Sequence, residues 1–182
     1  MGRRQEATVE DLYRVEGKAE IVNGRLVHMS AADGLHGYAA GVISASLLEY
    51  GRRTRHGVAF PDNVGFIVNL PHRRSFSPDA AFWIGAPLTA KFPEGAPVFA
   101  AEVRSPEDYG PAAERRMADK RRDYFAAGSL VVWDVDLEAG TVRVHRASDP
   151  EEAAVFSRGD HADAEPALPG WSMPVDDLFP ST

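Results

Sequence analysis

Apolar and polar positions repeat with two different periods along the chain, and these periods predict its helices and strands. From His36 to about Arg53 the apolar residues recur at helical spacing, which predicts a long amphipathic helix. A second helix is expected from Pro111, a residue suited to the first helical position, to about Ala127. Thr8, with a carboxylate three residues later, indicates the start of a short helix.

Runs of β-type residues predict the strands. They cover residues 57–60, 64–68, 79–84, 98–103, 130–135, 141–145 and 153–156. The runs at 98–103 and 130–135 are almost entirely apolar, which is typical of central strands buried on both faces. Because the helix that starts at Pro111 lies between them, we expect these two strands to be parallel neighbours joined by a crossover.

A hairpin and a terminal turn complete the set of elements. Asn23-Gly24 separates two short β-type runs within residues 20–27, and this pattern predicts a two-residue hairpin turn. The terminal turn is expected at residues 175–179. Together the elements indicate an α/β fold with a mixed central sheet, the hairpin at one edge and helices packed on its faces.

The composition fits a single domain and excludes several classes of protein. The 182 residues are 44% hydrophobic and 26% charged, without an internal repeat, so residues 1–182 are expected to form one domain. The sequence has neither the roughly 18 apolar residues of a membrane span nor the apolar part of a secretory signal, which predicts a cytoplasmic protein without a membrane partner. The absence of cysteine excludes thiolate zinc sites and cysteine nucleophiles.

The charges are distributed unevenly. Residues 149–182 hold eight acidic residues and one arginine, so this acidic C-terminal extension of the same domain carries the entire net charge of −7. The balanced remainder of the chain is compatible with a local nucleic-acid surface. Arginine dominates the basic residues, with 17 arginines against three lysines: Lys18, Lys91 and Lys120.

Two carboxylates interrupt the apolar strands. Asp79 opens one predicted strand and Glu102 lies inside the apolar run 98–103. A glutamate buried in a central strand is costly unless it is paired or bound to a cation. Two such carboxylates at neighbouring strand ends could share Mg²⁺ or Mn²⁺, which prefer oxygen ligands. The spacing equally allows a strand-end aspartate and a glutamate paired with an arginine.

These residues carry a resemblance to a known family. Pro78-Asp79 followed by Glu102-Val103-Arg104 resembles the PD-(D/E)xK signature of the restriction-endonuclease-like superfamily. Within it, the chain resembles the Uma-two family of bacterial restriction-endonuclease-like proteins, a domain of unknown function. The matching stretches follow one another along nearly the whole chain: 20–27, 36, 78–79, 102–106, 120–124, 127–128, 132–135 and 169–179.

The resemblance implies a fold, an activity and partners. The fold would be a mixed sheet with an αβββαβ core. The activity would be hydrolysis of phosphodiester bonds, with DNA as the expected substrate and Mg²⁺ as cofactor, for which Mn²⁺ can substitute. A homodimer is expected by analogy with nucleases that cut two strands.

The resemblance also implies roles for individual residues. Asp79 and Glu102 would be catalytic metal ligands and Glu20 an additional carboxylate ligand, although Glu20 could equally face solvent on an edge strand. The superfamily lysine two residues after the glutamate is Arg104 here, and arginine does not readily release a proton. The catalytic lysine is therefore expected at Lys120 in the following helix. Every other basic residue near Lys120 is arginine, which favours a role for its compact ammonium over chance placement on an exposed helix.

Substrate contacts are assigned to arginines near the proposed metal strands. Arg73, Arg74 and Arg104 are the predicted contacts to the nucleic acid, in keeping with the attraction of arginine for phosphates. The basic residues around Lys120 alternate with acidic ones, which is typical of a solvated helix face. His36 opens the long helix, where a neutral histidine could bind or orient phosphate, but it is interpreted as a capping or surface residue. The other histidines show no paired spacing of metal ligands.

Two further functions remain open from the sequence. A catalytically inactive nuclease-fold module that binds nucleic acid or protein is compatible with Arg104 and with the acidic C-terminal segment. A structural or partner-binding homodimer, in which the strand carboxylates are merely ion-paired, is the other alternative. The fold alone does not decide among them, because function lies in the site.

Overall fold

The computed structural model describes residues 6–181. Helices within this range are α1 (Val9–Leu12), α2 (Gly34–Thr54) and α3 (Pro111–Ala126), with a 3₁₀ helix at Val175–Leu178. The strands are β1 (Ala19–Val22), β2 (Arg25–His28), β3 (Val58–Phe60), β4 (Phe66–Ile67), β5 (Ser75–Phe76), β6 (Ala80–Trp83), β7 (Phe99–Val103), β8 (Val131–Asp136), β9 (Thr141–Arg146), β10 (Asp149–Ser157), β11 (His161–Asp163) and β12 (Ser172–Pro174). No helix in this range is both long and apolar enough to span a bilayer.

Six strands form the central sheet in the order β10-β9-β8-β7-β6-β3. The β7–β8 pair is parallel and its other neighbouring pairs are antiparallel, so the sheet is mixed. Helix α3 connects β7 to β8, which confirms the predicted parallel crossover. In this pair Glu102 is in register with Asp134, so the two carboxylates project from the same face.

Hydrophobic residues cover both faces of the central sheet. Phe99 and Trp133 pack against helix α2 and against Trp171 from the acidic segment. On the opposite face, Tyr124 of α3 stacks on Phe76 of β5, with ring centroids 3.9 Å apart. The central strands are therefore buried on both sides, as their apolar sequences predict.

The acidic segment is an integral part of this core. Strand β10 forms one edge of the central sheet, and Leu168, Trp171 and Met173 are buried beside α2. Strands β11 and β12, which the sequence analysis did not predict, pair antiparallel within the same segment. Its apolar residues thus stabilise the fold although its net charge is strongly negative.

The predicted hairpin forms, but not at the edge of the central sheet. Asn23 and Gly24 adopt φ values of 50° and 68°, as a two-residue turn requires, and join β1 to β2 in a separate two-stranded sheet. The expectation of an edge position was wrong because β1 bonds instead to the chain just before β5. The Arg74 N–H donates to the Ile21 carbonyl at 2.9 Å, and the Ile21 N–H donates to Ser75 Oγ at 2.8 Å.

A candidate active site at one end of the central sheet

Asp79 and Glu102 lie at the same end of neighbouring strands. Ala80 of β6 is in register with Ala101 of β7, so Asp79, directly before β6, lies beside Glu102. The Val103 N–H donates to Asp79 Oδ2 at 2.7 Å and fixes this carboxylate against β7. The structure therefore brings together the two carboxylates that the sequence singled out.

Lys120 joins the two glutamates of the site. Its Nζ lies 2.9 Å from Glu20 Oε1 and 2.8 Å from Glu102 Oε1. The Ser77 N–H donates to the same oxygen of Glu20, and the Tyr124 hydroxyl donates to Glu102 Oε1 at 2.6 Å. Glu20 is buried rather than solvent-facing, and Lys120 points from α3 into the site rather than into solvent.

Lys18 is a site residue that the sequence analysis did not identify. Its Nζ lies 2.5 Å from Asp79 Oδ1 and 2.7 Å from Asp62 Oδ1. The available signal was the scarcity of lysine, because two of the three lysines, Lys18 and Lys120, each bridge two carboxylates here. An arginine-rich chain thus places compact ammonium groups where carboxylates crowd together.

His36 also lies in the site, so its interpretation as a capping or surface residue was wrong. Asp33 caps α2 by accepting the His36 backbone N–H at 2.9 Å, which fixes this residue in the first turn. The side chain is buried, with Nε2 3.3 Å from Asp79 Oδ1. The Nδ1 atom is buried without a hydrogen-bond partner among the described residues.

Arg73 is buried and ion-paired, so its guanidinium is not open to a phosphate as predicted. One of its terminal nitrogens lies 2.6 Å from Glu20 Oε2, and its Nε lies 2.8 Å from Asp123 Oδ2. Asp123 also bonds to Nε2 of His72 at 2.7 Å. These ion pairs hold Glu20 in place and occupy the Arg73 guanidinium, whereas the neighbouring Arg74 is exposed.

Arg104 is likewise held inside the protein. Its guanidinium contacts both oxygens of Asp134, at 2.7 and 2.8 Å, and reaches Glu114 of α3 at 2.5 Å. Its side chain is only 2% exposed, so this arrangement does not support the predicted substrate contact. The residue at the superfamily lysine position here ties β7 to β8 and α3.

Burial and charge shift the pKa values of the site carboxyls in opposite directions. Burial opposes ionisation of Asp79, but the hydrogen bond with His36 and the ammonium of Lys18 outweigh it and hold the pKa far below its usual range. Burial raises the pKa of Glu102, and the negative charges of Asp79 and Glu20 add to this rise against the opposing effect of Lys120. Glu102 is therefore a carboxyl whose ionised form a further cation would stabilise.

The cations of the site are held firmly charged. Burial disfavours the ammonium of Lys120, but Glu102 and Glu20 outweigh this cost and raise its pKa above the usual value. Burial also opposes the charge of Lys18, whose pKa is nevertheless raised by Asp79 and Glu102. Both lysines consequently act as charges and hydrogen-bond donors rather than as proton acceptors in this arrangement.

The donor set fits a hard divalent cation of the Mg²⁺ class. The described residues include no group of three or more Asp, Glu or His side chains already arranged to hold a metal ion. Mg²⁺ nevertheless needs only one or two protein carboxylates, because water and substrate oxygens complete its coordination. Asp79 and Glu102 supply such oxygens. Because the pKa of Glu102 is raised, a cation bound beside it would stabilise its ionised form.

The site opens into a cavity of about 1010 Å³. Its lining includes the carboxylates Glu20, Asp79 and Glu102 together with Lys18 and Lys120. Exposed arginines also line it, namely Arg116 and Arg122. The charged cluster is thus reachable from outside by a ligand larger than a metal ion.

Comparison with solved structures identifies the fold. The chain superposes with a TM-score of 0.75 on a crystal structure from Anabaena variabilis described as "a putative nuclease belonging to DUF820". The two sequences are 17% identical, and the alignment covers 95% of this chain and 97% of the other. This likeness and the mixed sheet together confirm the predicted fold class.

Comparison with protein families identifies the family. A search of curated proteins returned no match. Residues 8–176 match the model of the Uma-two family, Uma2, whose description is "Putative restriction endonuclease". The resemblance drawn from the sequence is confirmed over nearly the whole chain, and the protein belongs to the Uma2 family.

Proposed function

We propose that this protein is a metal-dependent endonuclease that hydrolyses phosphodiester bonds in DNA. The observation that carries the proposal is the convergence of Asp79, Glu102 and Lys120 at one end of the central sheet, in a cavity open to solvent. Membership of the Uma2 family supports the same reaction class. The proposal assigns Mg²⁺ as cofactor, with Mn²⁺ as a substitute.

Each residue has a distinct role in this proposal. Asp79 and Glu102 would hold the cation, with Glu20 beside them. When bound, the metal would polarise the scissile phosphate and activate the attacking water. Lys120 stays charged between the glutamates, so it would orient the attacking water and stabilise negative charge on the phosphate by hydrogen bonding.

Basic residues around the cavity suit a phosphate backbone. Arg116 and Arg122 are exposed and line the cavity, and Arg74 is exposed close to the ion-paired Arg73. Their contacts would position the nucleic acid, and the affinity would fall as salt increases. We propose a homodimer for cleavage of both strands, because one such site serves one strand at a time.

A cleavage assay with matched variants tests the proposal. Supercoiled plasmid and linear duplex would be incubated with wild type, Asp79→Asn, Glu102→Gln and the control Glu49→Gln, each with Mg²⁺, Mn²⁺ or a chelator. Glu49 lies on the exposed face of α2, so its substitution changes charge without touching the site. Cleavage by wild type and Glu49→Gln, lost with the chelator and in both site variants, is expected. Equal cleavage by all four proteins would contradict the assignment.

A specific observation favours one alternative, a nuclease-fold module that binds nucleic acid without cutting it. Arg104 occupies the superfamily lysine position and is held by Asp134 and Glu114. If Lys120 does not replace that lysine in function, the site would bind metal and substrate without turnover. DNA binding by wild type without cleavage in either metal would support this alternative.

A further inference from the structure

Lys18 bridges two aspartates that differ in their exposure to solvent. Its Nζ lies between Asp79, whose side chain is 5% exposed, and Asp62, whose side chain is 38% exposed. Lys18 directly precedes β1, and Asp62 follows β3. The ammonium therefore contacts one carboxylate inside the site and another towards its rim.

Lys120 is placed differently. Both of its carboxylate partners, Glu20 and Glu102, belong to the site, and its ammonium lies 5.9 Å from the centre of the Tyr124 ring. Within the described residues, the ion pairs of Lys120 are both with carboxylates of the site, whereas Lys18 would still have Asp62 at the rim if it left Asp79. Lys18 is thus the cation that can move at lower cost.

The oxygens of Asp79 leave little room for an additional cation. Its Oδ2 accepts the Val103 N–H at 2.7 Å, and its Oδ1 contacts both Lys18 and His36. A divalent ion on Oδ1 would meet the Lys18 ammonium only 2.5 Å from that oxygen. Two cations held on the same carboxylate oxygen lie close to each other, and in a buried setting they repel each other strongly.

We propose that Lys18 is the resident counter-cation of Asp79 and yields this carboxylate to a divalent metal by moving fully onto Asp62. This inference rests on the proposed function, because it takes Asp79 as a metal ligand. Lys18 keeps the buried carboxylate neutralised before the metal arrives, and Asp62 keeps the ammonium paired afterwards. The free-energy cost of moving Lys18 away from Asp79 would therefore lower the apparent affinity for the metal.

Substitutions of Lys18 and of Asp62 should change the metal affinity in opposite directions. Lys18→Met removes the competing ammonium, so the metal should bind about tenfold more tightly, equivalent to ~1.4 kcal/mol. Asp62→Asn removes the outer partner, so Lys18 should stay on Asp79 and the metal should bind more weakly. The two charges acting independently on the metal through long-range electrostatics would change the affinity in the same two directions. The two single variants therefore do not distinguish this field effect from a movement of Lys18.

The double variant separates the inference from a field effect. If Asp62 acts by receiving Lys18, Asp62→Asn should not change metal affinity once Lys18 is methionine. If the two charges act independently, their effects should add, as is usual for uncoupled sites. Calorimetric titration of Mn²⁺ into wild type, both single variants and the double variant gives this comparison without reference to cleavage.

A second measurement needs no variant of Lys18. With three lysines in the chain, the side-chain NMR signals of the ammonium groups can be followed individually during a Mg²⁺ titration. The Lys18 signal should move with saturation, while that of the exposed Lys91 should stay in place. This readout also serves if Lys18→Met fails to fold.

The outcomes distinguish the inference from the proposed function. Tighter binding by Lys18→Met, with no added effect of Asp62→Asn, supports the inference. Metal binding that Glu102→Gln abolishes but Lys18→Met leaves unchanged would overturn the inference and leave the proposed function standing. Additive effects of the two substitutions, or a Lys18 signal that does not move while metal binds, would overturn it as well. No metal binding by any of these proteins would overturn both.

Discussion

Lys120 Nζ lies 2.8 Å from Glu102 Oε1, although Lys120 belongs to helix α3 and Glu102 to strand β7. Helix α3 packs on the same face of the sheet from which Glu102 projects, as the burial of Tyr124 against Ala100 indicates. The crossover therefore delivers a lysine to the carboxylates from a position that differs from the superfamily pattern. A linear motif would miss this arrangement, since it forms only when helix and strand pack together.

Removing the Lys120 charge should destabilise the protein. Lys120→Met would leave Glu20 and Glu102 without their shared cation, and the free energy of unfolding should fall by about 3 kcal/mol. Lys120→Arg keeps the charge, so it should lose less stability but should not restore full cleavage, because guanidinium and ammonium differ in shape and hydration. Urea denaturation and the plasmid assay measure the two effects. Unchanged stability of Lys120→Met would contradict the ion-pair description.

Arg73 and Arg74 provide a matched comparison of adjacent arginines. Arg73→Met should lower the free energy of unfolding by about 3 kcal/mol, because it leaves Glu20 and Asp123 partly unpaired inside the protein. Arg74→Met should change it by less than about 0.5 kcal/mol, as is usual for an exposed position. Arg74→Met should instead weaken DNA binding and make the affinity less dependent on salt concentration. Equal destabilisation by the two substitutions would refute the structural distinction between them.

Replacing Arg104 by lysine should destabilise the protein, although the positive charge is kept. Arg104→Lys would lose the two-point contact with Asp134, and the free energy of unfolding should fall by about 2 kcal/mol. Arg143→Lys is the control, because Arg143 lies 3.8 Å from the same aspartate and is more exposed, so about 0.5 kcal/mol or less is expected. Cleavage should not rise in Arg104→Lys. A gain in cleavage would show that the superfamily position can still accept the catalytic lysine.

His36 should titrate above its usual range. The hydrogen bond with Asp79 raises the pKa of His36 against the effect of burial. Because the folded-state pKa is raised, the stabilisation by charged His36 is complete below about pH 6.5 and is lost as pH rises through the folded value. The stability difference between wild type and His36→Asn should therefore shrink as pH increases from 6 to 9.

NMR titration of the His36 ring provides the direct check. The midpoint should lie above that measured in Asp79→Asn, where the carboxylate charge is absent. An identical midpoint in the two proteins would mean that Asp79 does not set the pKa of His36.

Much of the fold is predictable because its signals are local. The helical period before Arg53 and the apolar runs around Glu102 locate α2 and β7 to within a few residues. Strands β11 and β12 are three residues each, too short to show a period. The sheet that the hairpin joins depends on tertiary pairing with the chain near Ser75, which no local pattern encodes.

The candidate site is predictable only in part, because several of its contacts form only when distant parts of the chain pack together. Asp79 and Glu102 stand out because a carboxylate is unusual in an apolar strand. Arg73 and Arg74 are chemically identical neighbours, and only the packing of β1 decides which one is buried. The scarcity of lysine draws attention to Lys18, but Lys18 contacts Asp79 across 61 residues of sequence, so this partner is visible only in the folded chain.

The most direct test of the account is calorimetric titration of Mn²⁺ into wild type and Glu102→Gln under identical conditions. The substitution preserves the size of the side chain and removes its charge, so a lost signal would report the missing ligand. Saturable binding by wild type that disappears in Glu102→Gln is the expected result. Equal binding by the two folded proteins, or no binding by wild type, would contradict a metal centre at Asp79 and Glu102.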